Sequence, residues 1–227
     1  ELTHALQDQH YNLDAMTDIN NFTSDELMGR MALIEGDATA VMLDYSRKFM
    51  GQKSIASDPG VEGVMLQNLI GAAITGAGQN VPPALMSMLI FPYTSGLRFV
   101  HGFLKEDGYL ALNRIYEAPP ASTSQILHPE LYGKGGGRPP LIGDDRFEVP
   151  ADWPGAEIVY RDTLGEFVVS VLLNEFNKDG VTNAKIASGW RNDRVIVWKR
   201  KDAGAVEVAW RIEWKSGGSL EKFLESY

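Results

Sequence analysis

The sequence has no cysteine, no long apolar run and no surplus of positive charge. Without cysteine there is no disulfide framework, and any metal site must use His, Asp or Glu side chains, with four histidines available. The formal net charge of −9, with no run rich in Lys and Arg, argues against a nucleic-acid-binding surface. No apolar run reaches the ~18 residues of a membrane span, so we expect a soluble chain with no integral membrane segment.

The spacing of apolar residues predicts an α+β protein. The 227 residues, 44% of them hydrophobic, suffice for a sizeable core. Before residue 140 the spacing is helical, and a capping box at Thr23 to Glu26 begins a long helix that runs to about Met50. A Gly- and Pro-rich stretch over 133–140 then precedes alternating patterns. We predict a helical lobe over residues 1–140 and a small α+β unit with an antiparallel sheet over residues 141–227.

Several element boundaries can be predicted within these two parts. Between residues 61 and 116 we expect three helices, separated by the Pro82-Pro83 pair, by Pro92 and near Gly108. In the second part, β-rich patterns predict strands at 157–161, 194–200 and 206–214. Helices are predicted there at 163–176, 183–188 and 219–226.

The first four residues, Glu1-Leu2-Thr3-His4, match the end of the zinc-binding pattern H-E-x-x-H. That pattern places two imidazoles one helical turn apart, with a Glu after the first that activates a metal-bound water. We therefore predict that the gene encodes His immediately before Glu1. The alternative is that His4 is a structural histidine on a partly apolar helix.

Glu35 is the candidate for a further zinc ligand. It lies in the predicted long helix and shares a face with Met31, Ala38 and Met42. An ionised carboxylate among such neighbours needs a cation or a hydrogen-bonding partner. Alternatively, Glu35 turns to solvent or pairs with Arg30 or Lys48.

The start ELTHALQDQH and the later ALIEGDATAVMLDY together resemble bacterial gluzincin-type metallopeptidase-like proteins, whose active-site helix is similar to that of thermolysin-type peptidases. The resemblance extends through the Pro-Tyr-x-x-Gly of residues 92–96 and the His-Pro at 128–129 to the Gly-Trp at 189–190. It therefore covers most of the chain. The sequence is identified on these motifs as gluzincin-like and cut just inside the zinc-binding pattern.

The resemblance implies hydrolysis of peptide bonds in a peptide or protein substrate with Zn²⁺ as cofactor. It makes Glu1 the general base, His4 and Glu35 zinc ligands, and the predicted upstream His the third protein ligand. We expect the 227-residue chain alone to be inactive, because two ligands hold zinc poorly and Glu1 is terminal. The resemblance also implies an extracytoplasmic location. Three carboxylates are candidates to orient His4: Asp8, Asp37 and Asp44.

A donor is also needed for the oxygen that gains negative charge during hydrolysis. The resemblance points first to a downstream His or Tyr, which makes His128 the leading candidate. The alternative is that His128 simply ends a helix. Tyr132, Tyr93 and His101 with Arg98 are further candidates.

Two rival functions remain open: a non-catalytic protein that retains the helices for binding, and a structural envelope protein that acts through its tail. The tail has Trp190, Trp198, Trp210 and Trp214, which would form either an aromatic binding surface or the core of a small sheet. We expect the core.

Overall fold

The computed structural model describes residues 2–57, 81–133, 139–149, 153, 155–200 and 205–227. The chain forms two compact units, one comprising Glu1–Phe22 and Glu26–Gly137 and the other comprising Thr23–Asp25 and Arg138–Tyr227. Helices and an antiparallel sheet make it an α+β protein, which confirms the predicted fold class. Within the described residues, none of the helices is both long and apolar enough to cross a bilayer.

The first unit is built from helices that enclose an apolar core. Its α-helices in the described part of the chain are α1 (Leu2–Tyr11), α2 (Leu13–Met16), α3 (Ser24–Phe49), α4 (Pro83–Asp107), α5 (Leu110–Glu117) and α6 (Thr123–Leu127). The long helix α3 begins where the capping box predicts and ends one residue before Met50. Several side chains are fully or almost fully buried in this unit: Ala32, Leu33, Ala40, Phe99, Val100, Leu104 and Ile115.

Helices α3 and α4 meet at a pair of glycines. A β-carbon on Gly36 would overlap the carbonyl group of Gly96 and lie 2.8 Å from the backbone nitrogen of Leu97. A β-carbon on Gly96 would in turn overlap the carbonyl group of Ala32. The two backbones are therefore in direct contact, and no side chain fits between them.

Replacing Gly96 by Ala should destabilise the protein by about 1–3 kcal/mol, because the added methyl group must push two helix backbones apart. Gly102 lies on the same helix with open space around its α-carbon. The matched variant Gly102→Ala should instead stabilise the protein by about 0.5–1 kcal/mol through helix propensity. Urea unfolding followed by far-ultraviolet circular dichroism measures both. A Gly96→Ala protein as stable as the wild type would show that the helices are not in backbone contact.

Helix α4 is continuous through Pro92, so the prediction that a helix ends there is wrong. Proline inside a helix removes one backbone hydrogen bond and normally breaks the helix. Here Phe91 and Pro92 are both buried, and their packing offsets that loss. The predicted boundaries at Pro82-Pro83 and Gly108 are confirmed, because they flank α4. The part of the prediction that concerns residues 61–80 lies outside the described residues.

The second unit contains a three-stranded antiparallel sheet and helices. The strands β1 (Glu157–Asp162), β2 (Trp190–Lys199) and β3 (Val206–Trp214) lie in the order β1-β2-β3. The register shifts between Ile158 and Tyr160 on β1 and between Trp190 and Asn192 on β2. The helices are α7 (Gly165–Phe176), α8 (Gly180–Ala187) and α9 (Gly217–Ser226).

Tryptophans form part of the core of the second unit. Trp190 and Trp198 are both 2% exposed, while Trp210 and Trp214 are half-buried and pack against the same cluster as Trp190. The remaining buried members of that cluster come from α7, α8 and α9: Val169, Leu173, Ile186, Ala187 and Phe223. The interpretation of these tryptophans as core residues is confirmed.

Asp193 on β2 is a fully buried carboxylate that accepts four hydrogen bonds. Its oxygens lie 2.8 Å from the backbone nitrogen of Gly165 and 2.9 Å from that of Leu164, at the start of α7. They also lie 3.0 Å from Nε1 of Trp190 and 2.9 Å from Nε1 of Trp210. Burial raises the pKa of Asp193 above its ordinary value, and the four donors act in the opposite direction. One carboxylate thus connects a helix start to two core tryptophans.

Candidate functional site

The two predicted zinc ligands lie next to each other in the first unit. His4 projects from α1 and Glu35 from α3, and His4 Nε2 lies 3.2 Å from Glu35 Oε2. Both side chains are partly exposed, at 35% for His4 and 18% for Glu35. Glu1, the predicted general base, lies outside the described residues.

The pair has the donor types and the spacing that a zinc ion requires. Two bonds of about 2.0–2.1 Å that meet at a tetrahedral angle place their donor atoms roughly 3.3 Å apart. The observed 3.2 Å agrees with this value, and it also suits a charged hydrogen bond. Among the described residues, no group of three or more His, Asp or Glu side chains is arranged to hold a metal. The described residues therefore fit two of the three protein positions of a catalytic zinc site.

A buried polar network lies behind His4. His4 Nδ1 is 2.8 Å from Gln7 Oε1. Gln7 Nε2 in turn lies 3.1 Å from the Ile34 carbonyl oxygen, 2.6 Å from Asp37 Oδ2 and 2.9 Å from the Tyr116 hydroxyl. Burial raises the pKa of Asp37, and its hydrogen bonds from Gln7 and Tyr116 oppose that shift. The helical spacing predicts that Gln7 faces solvent, but the structure buries it as the direct partner of His4.

The three carboxylates predicted to orient His4 differ in their hydrogen-bond partners. Asp37 reaches His4 only through Gln7. Asp8 accepts a hydrogen bond of 2.9 Å from the backbone nitrogen of Leu13, at the start of α2. Asp44 accepts hydrogen bonds from Ser54, from the Ile55 backbone and from Tyr109. Of the three, Asp37 alone belongs to the network behind His4.

The His4 and Glu35 side chains face a cavity of about 620 Å³ between α1, α3 and α4. Its wall is mainly apolar, and such a wall around a few polar groups is typical of ligand sites. The other lining residues are Leu2, Thr3, Leu6, Ala38, Thr39, Val41, Met42, Tyr45 and Tyr93. The cavity has room for a side chain of a peptide beside the His4–Glu35 pair.

Tyr93 on α4 brings a hydroxyl group to the same cavity. Its side chain lines that cavity together with Glu35 and lies close enough to feel the charge of the carboxylate. Burial, and then the negative charge of Glu35, raise the pKa of Tyr93 above its ordinary value. The phenol therefore stays protonated near neutral pH and can serve as a hydrogen-bond donor.

The other predicted donors lie elsewhere in the first unit. His128 follows α6, its backbone nitrogen donates to the Ser124 carbonyl, and it is not among the described residues that line the cavity. The Tyr132 hydroxyl donates to the Ala118 carbonyl at 2.7 Å. His101 is 1% exposed, and its Nε2 lies 2.9 Å from the Ile55 carbonyl oxygen. Among these candidates, Tyr93 is the one that the structure brings to Glu35.

Comparison with known proteins gives a match in the second unit alone. Residues 156–227 match a family described as a domain of unknown function, DUF8575. No curated protein matches the chain, and neither does any solved structure. The chain is therefore similar to DUF8575 over its sheet and the helices around it, while His4, Glu35 and Tyr93 lie outside the matched segment.

Proposed function

We propose that the protein is a zinc-dependent metallopeptidase whose active site is the cavity at His4 and Glu35. The observation that carries this proposal is the 3.2 Å separation between His4 Nε2 and Glu35 Oε2 at the wall of a largely apolar cavity. An imidazole and a carboxylate are characteristic ligands of catalytic zinc. The resemblance of ELTH and EGDA to gluzincin motifs supports the same assignment.

The proposed roles divide among three residues of this chain. His4 and Glu35 would hold the zinc ion together with the His predicted before Glu1. When bound, zinc would supply a Lewis acid that polarises the scissile carbonyl and acidifies a water molecule. Glu1 would accept the proton from that water and pass it to the leaving amine. The apolar cavity wall would receive a side chain of the peptide substrate.

Tyr93 is the residue that we assign to the oxygen gaining negative charge during hydrolysis. Changing Tyr93 to Phe should lower kcat by about 100-fold, the loss that follows removal of one such donor. Zinc affinity should remain close to that of the wild type, because the phenol is not a ligand. Isothermal titration with zinc and peptide hydrolysis assays on the same preparation separate the two effects. A loss of zinc affinity as large as the loss of kcat would instead make Tyr93 a partner that orients Glu35.

The proposal is tested on the full-length protein. We expect one zinc ion per chain by elemental analysis, and hydrolysis of a mixed peptide library that a chelator stops and added zinc restores. Absence of stoichiometric zinc uptake would refute the proposal. Zinc uptake without hydrolysis of any library peptide would refute the catalytic part alone.

A non-catalytic binding protein is the second candidate. The observation that favours it is that, among the described residues, His4 and Glu35 have no third metal-ligating side chain beside them. The coding sequence before Glu1 distinguishes the candidates, because a residue other than His there would leave the site with two protein ligands. The cavity would then bind a peptide without cleaving it.

A further inference from the structure

We propose that Gln7 is a positioning residue that holds His4 as the tautomer protonated on Nδ1, so that the Nε2 lone pair points at Glu35. This inference rests on the proposed function only for the use of that lone pair as a metal ligand. The tautomer itself follows from the contacts of the Gln7 amide. It can therefore be measured in the metal-free protein.

The orientation of the Gln7 amide is fixed by a group that can only accept a hydrogen bond. One end of the amide lies 3.1 Å from the Ile34 carbonyl oxygen, which has no proton to donate. That end must be the NH₂ group. The oxygen end then faces His4 Nδ1 at 2.8 Å, and because this oxygen is also only an acceptor, Nδ1 must carry the proton.

Two further groups keep the amide in this orientation. Gln7 Nε2 lies 2.6 Å from Asp37 Oδ2, and the Tyr116 hydroxyl donates to the same oxygen at 3.0 Å. Gln7, Asp37 and Tyr116 are each 5–7% exposed. The Tyr116 ring stacks on Tyr11 with the ring centroids 3.8 Å apart, which limits its movement. Rotating the amide would place its oxygen against the Ile34 carbonyl and the Asp37 carboxylate, so the network opposes rotation.

The tautomer has a consequence for the pair at the cavity wall. With the proton on Nδ1, a neutral His4 presents a lone pair to Glu35 Oε2 across 3.2 Å. Two acceptors repel each other at this distance unless a positive charge lies between them. A metal cation or a second proton on the ring meets that demand. By fixing this tautomer, Gln7 favours the binding of a cation between His4 Nε2 and Glu35 Oε2. Asp37 acts on His4 through the Gln7 amide and not by direct contact.

The experiment compares two Gln→Leu variants of the same helix in the metal-free protein. Gln7→Leu removes the network, whereas Gln9→Leu changes an exposed side chain and serves as the control. Two-bond ¹H–¹⁵N correlation spectra of the histidine rings, recorded at a pH where the imidazoles are neutral, report the tautomer directly. We expect His4 to be protonated on Nδ1 in the wild type and in Gln9→Leu, and to lose this preference in Gln7→Leu. Zinc affinity should fall by about 10- to 100-fold in Gln7→Leu alone, the usual effect of losing a partner of a ligand.

A second variant keeps the proposal testable if Gln7→Leu does not fold. Gln7→Met keeps an unbranched side chain of similar size and removes the amide oxygen that accepts from His4 Nδ1. It should lose the preference for the Nδ1-protonated form and lower the zinc affinity. A purely structural role for Gln7 predicts an unchanged tautomer in this variant.

The outcomes separate this inference from the proposed function. Wild-type His4 protonated on Nε2, or an unchanged tautomer in Gln7→Leu, would overturn the role of Gln7 whether or not zinc binds. Conversely, the Nδ1-protonated form in a wild-type protein that takes up no zinc would support the role of Gln7 while refuting the zinc site.

Discussion

Changing Glu35 to Gln should reduce the zinc affinity of the full-length protein by more than 100-fold, whereas changing Glu1 to Gln should leave it nearly unchanged. Loss of a partner that only orients a ligand typically lowers metal affinity by about 10- to 100-fold, and loss of a charged ligand should exceed that range. Glu1 is proposed to act on water and not on the metal. Glu1→Gln should therefore retain zinc and lose turnover, in contrast to Glu35→Gln.

Glu1→Gln and Glu35→Gln make the same chemical change, so their zinc affinities can be compared directly. Glu106→Gln, on the exposed surface of α4, is the control for loss of one negative charge. Isothermal titration gives the affinities, and peptide hydrolysis gives the turnover. If Glu35→Gln bound zinc as tightly as Glu106→Gln, Glu35 would not be a ligand. If Glu1→Gln hydrolysed peptides at the wild-type rate, the general base would have to be another group.

Changing Asp193 to Ala should lower the free energy of unfolding of the second unit by about 3–5 kcal/mol. The substitution would leave four N–H groups without an acceptor, two of them in buried and two in partly buried hydrogen bonds, and each buried one costs about 1–3 kcal/mol unless water reaches it. Two of these groups belong to the start of α7 and two to the core tryptophans. Both the helix start and the indole positions should therefore be disturbed.

Tryptophan fluorescence is a selective probe for this measurement, because all five tryptophans lie in the second unit. Asp145→Ala, an exposed substitution in the same unit, should change the free energy of unfolding by no more than about 0.5 kcal/mol. Equal urea midpoints for the two variants would mean that Asp193 is not the acceptor on which these four donors depend.

Local patterns predicted the elements well where each residue's environment follows from its immediate neighbours. The capping box placed the start of α3, and apolar alternation placed β3 at its observed bounds. The contribution of Asp162 to the start of α3 could not be predicted, because its oxygen accepts from the Ser24 backbone nitrogen across 138 positions of sequence. Helix starts are visible in sequence, whereas the distant groups that complete them are not.

Two errors have a common physical cause, which is burial that sequence does not reveal. The predicted strand 194–200 begins four residues later than β2, because Asn192 and Asp193 are polar yet buried and so interrupt the apolar pattern. Pro92 was expected to end a helix, but buried neighbours keep α4 continuous. Polar and helix-breaking residues are tolerated where packing and hydrogen bonds compensate for them.

In the candidate site, too, some residues could be predicted from sequence and others could not. The motif residues His4 and Glu35 could be proposed from sequence, because zinc-binding patterns have characteristic spacings. Gln7 could not, since its partners Ile34 and Asp37 lie 27 and 30 positions away. Tyr93 was one of several possible donors, and it is singled out only by its place beside Glu35 in the cavity wall.

The glycine contact between α3 and α4 has a mechanical consequence for the cavity. Glu35 adjoins one of the two glycines, and Tyr93 lies one turn before the other. Since the two main chains pack there without intervening side chains, no rotamer change can move the helices apart at this contact. Glu35 and Tyr93 are thus held on two helices that cannot separate at this contact, and any change in the shape of the cavity falls to flexible lining side chains such as Leu2 and Leu6 on α1.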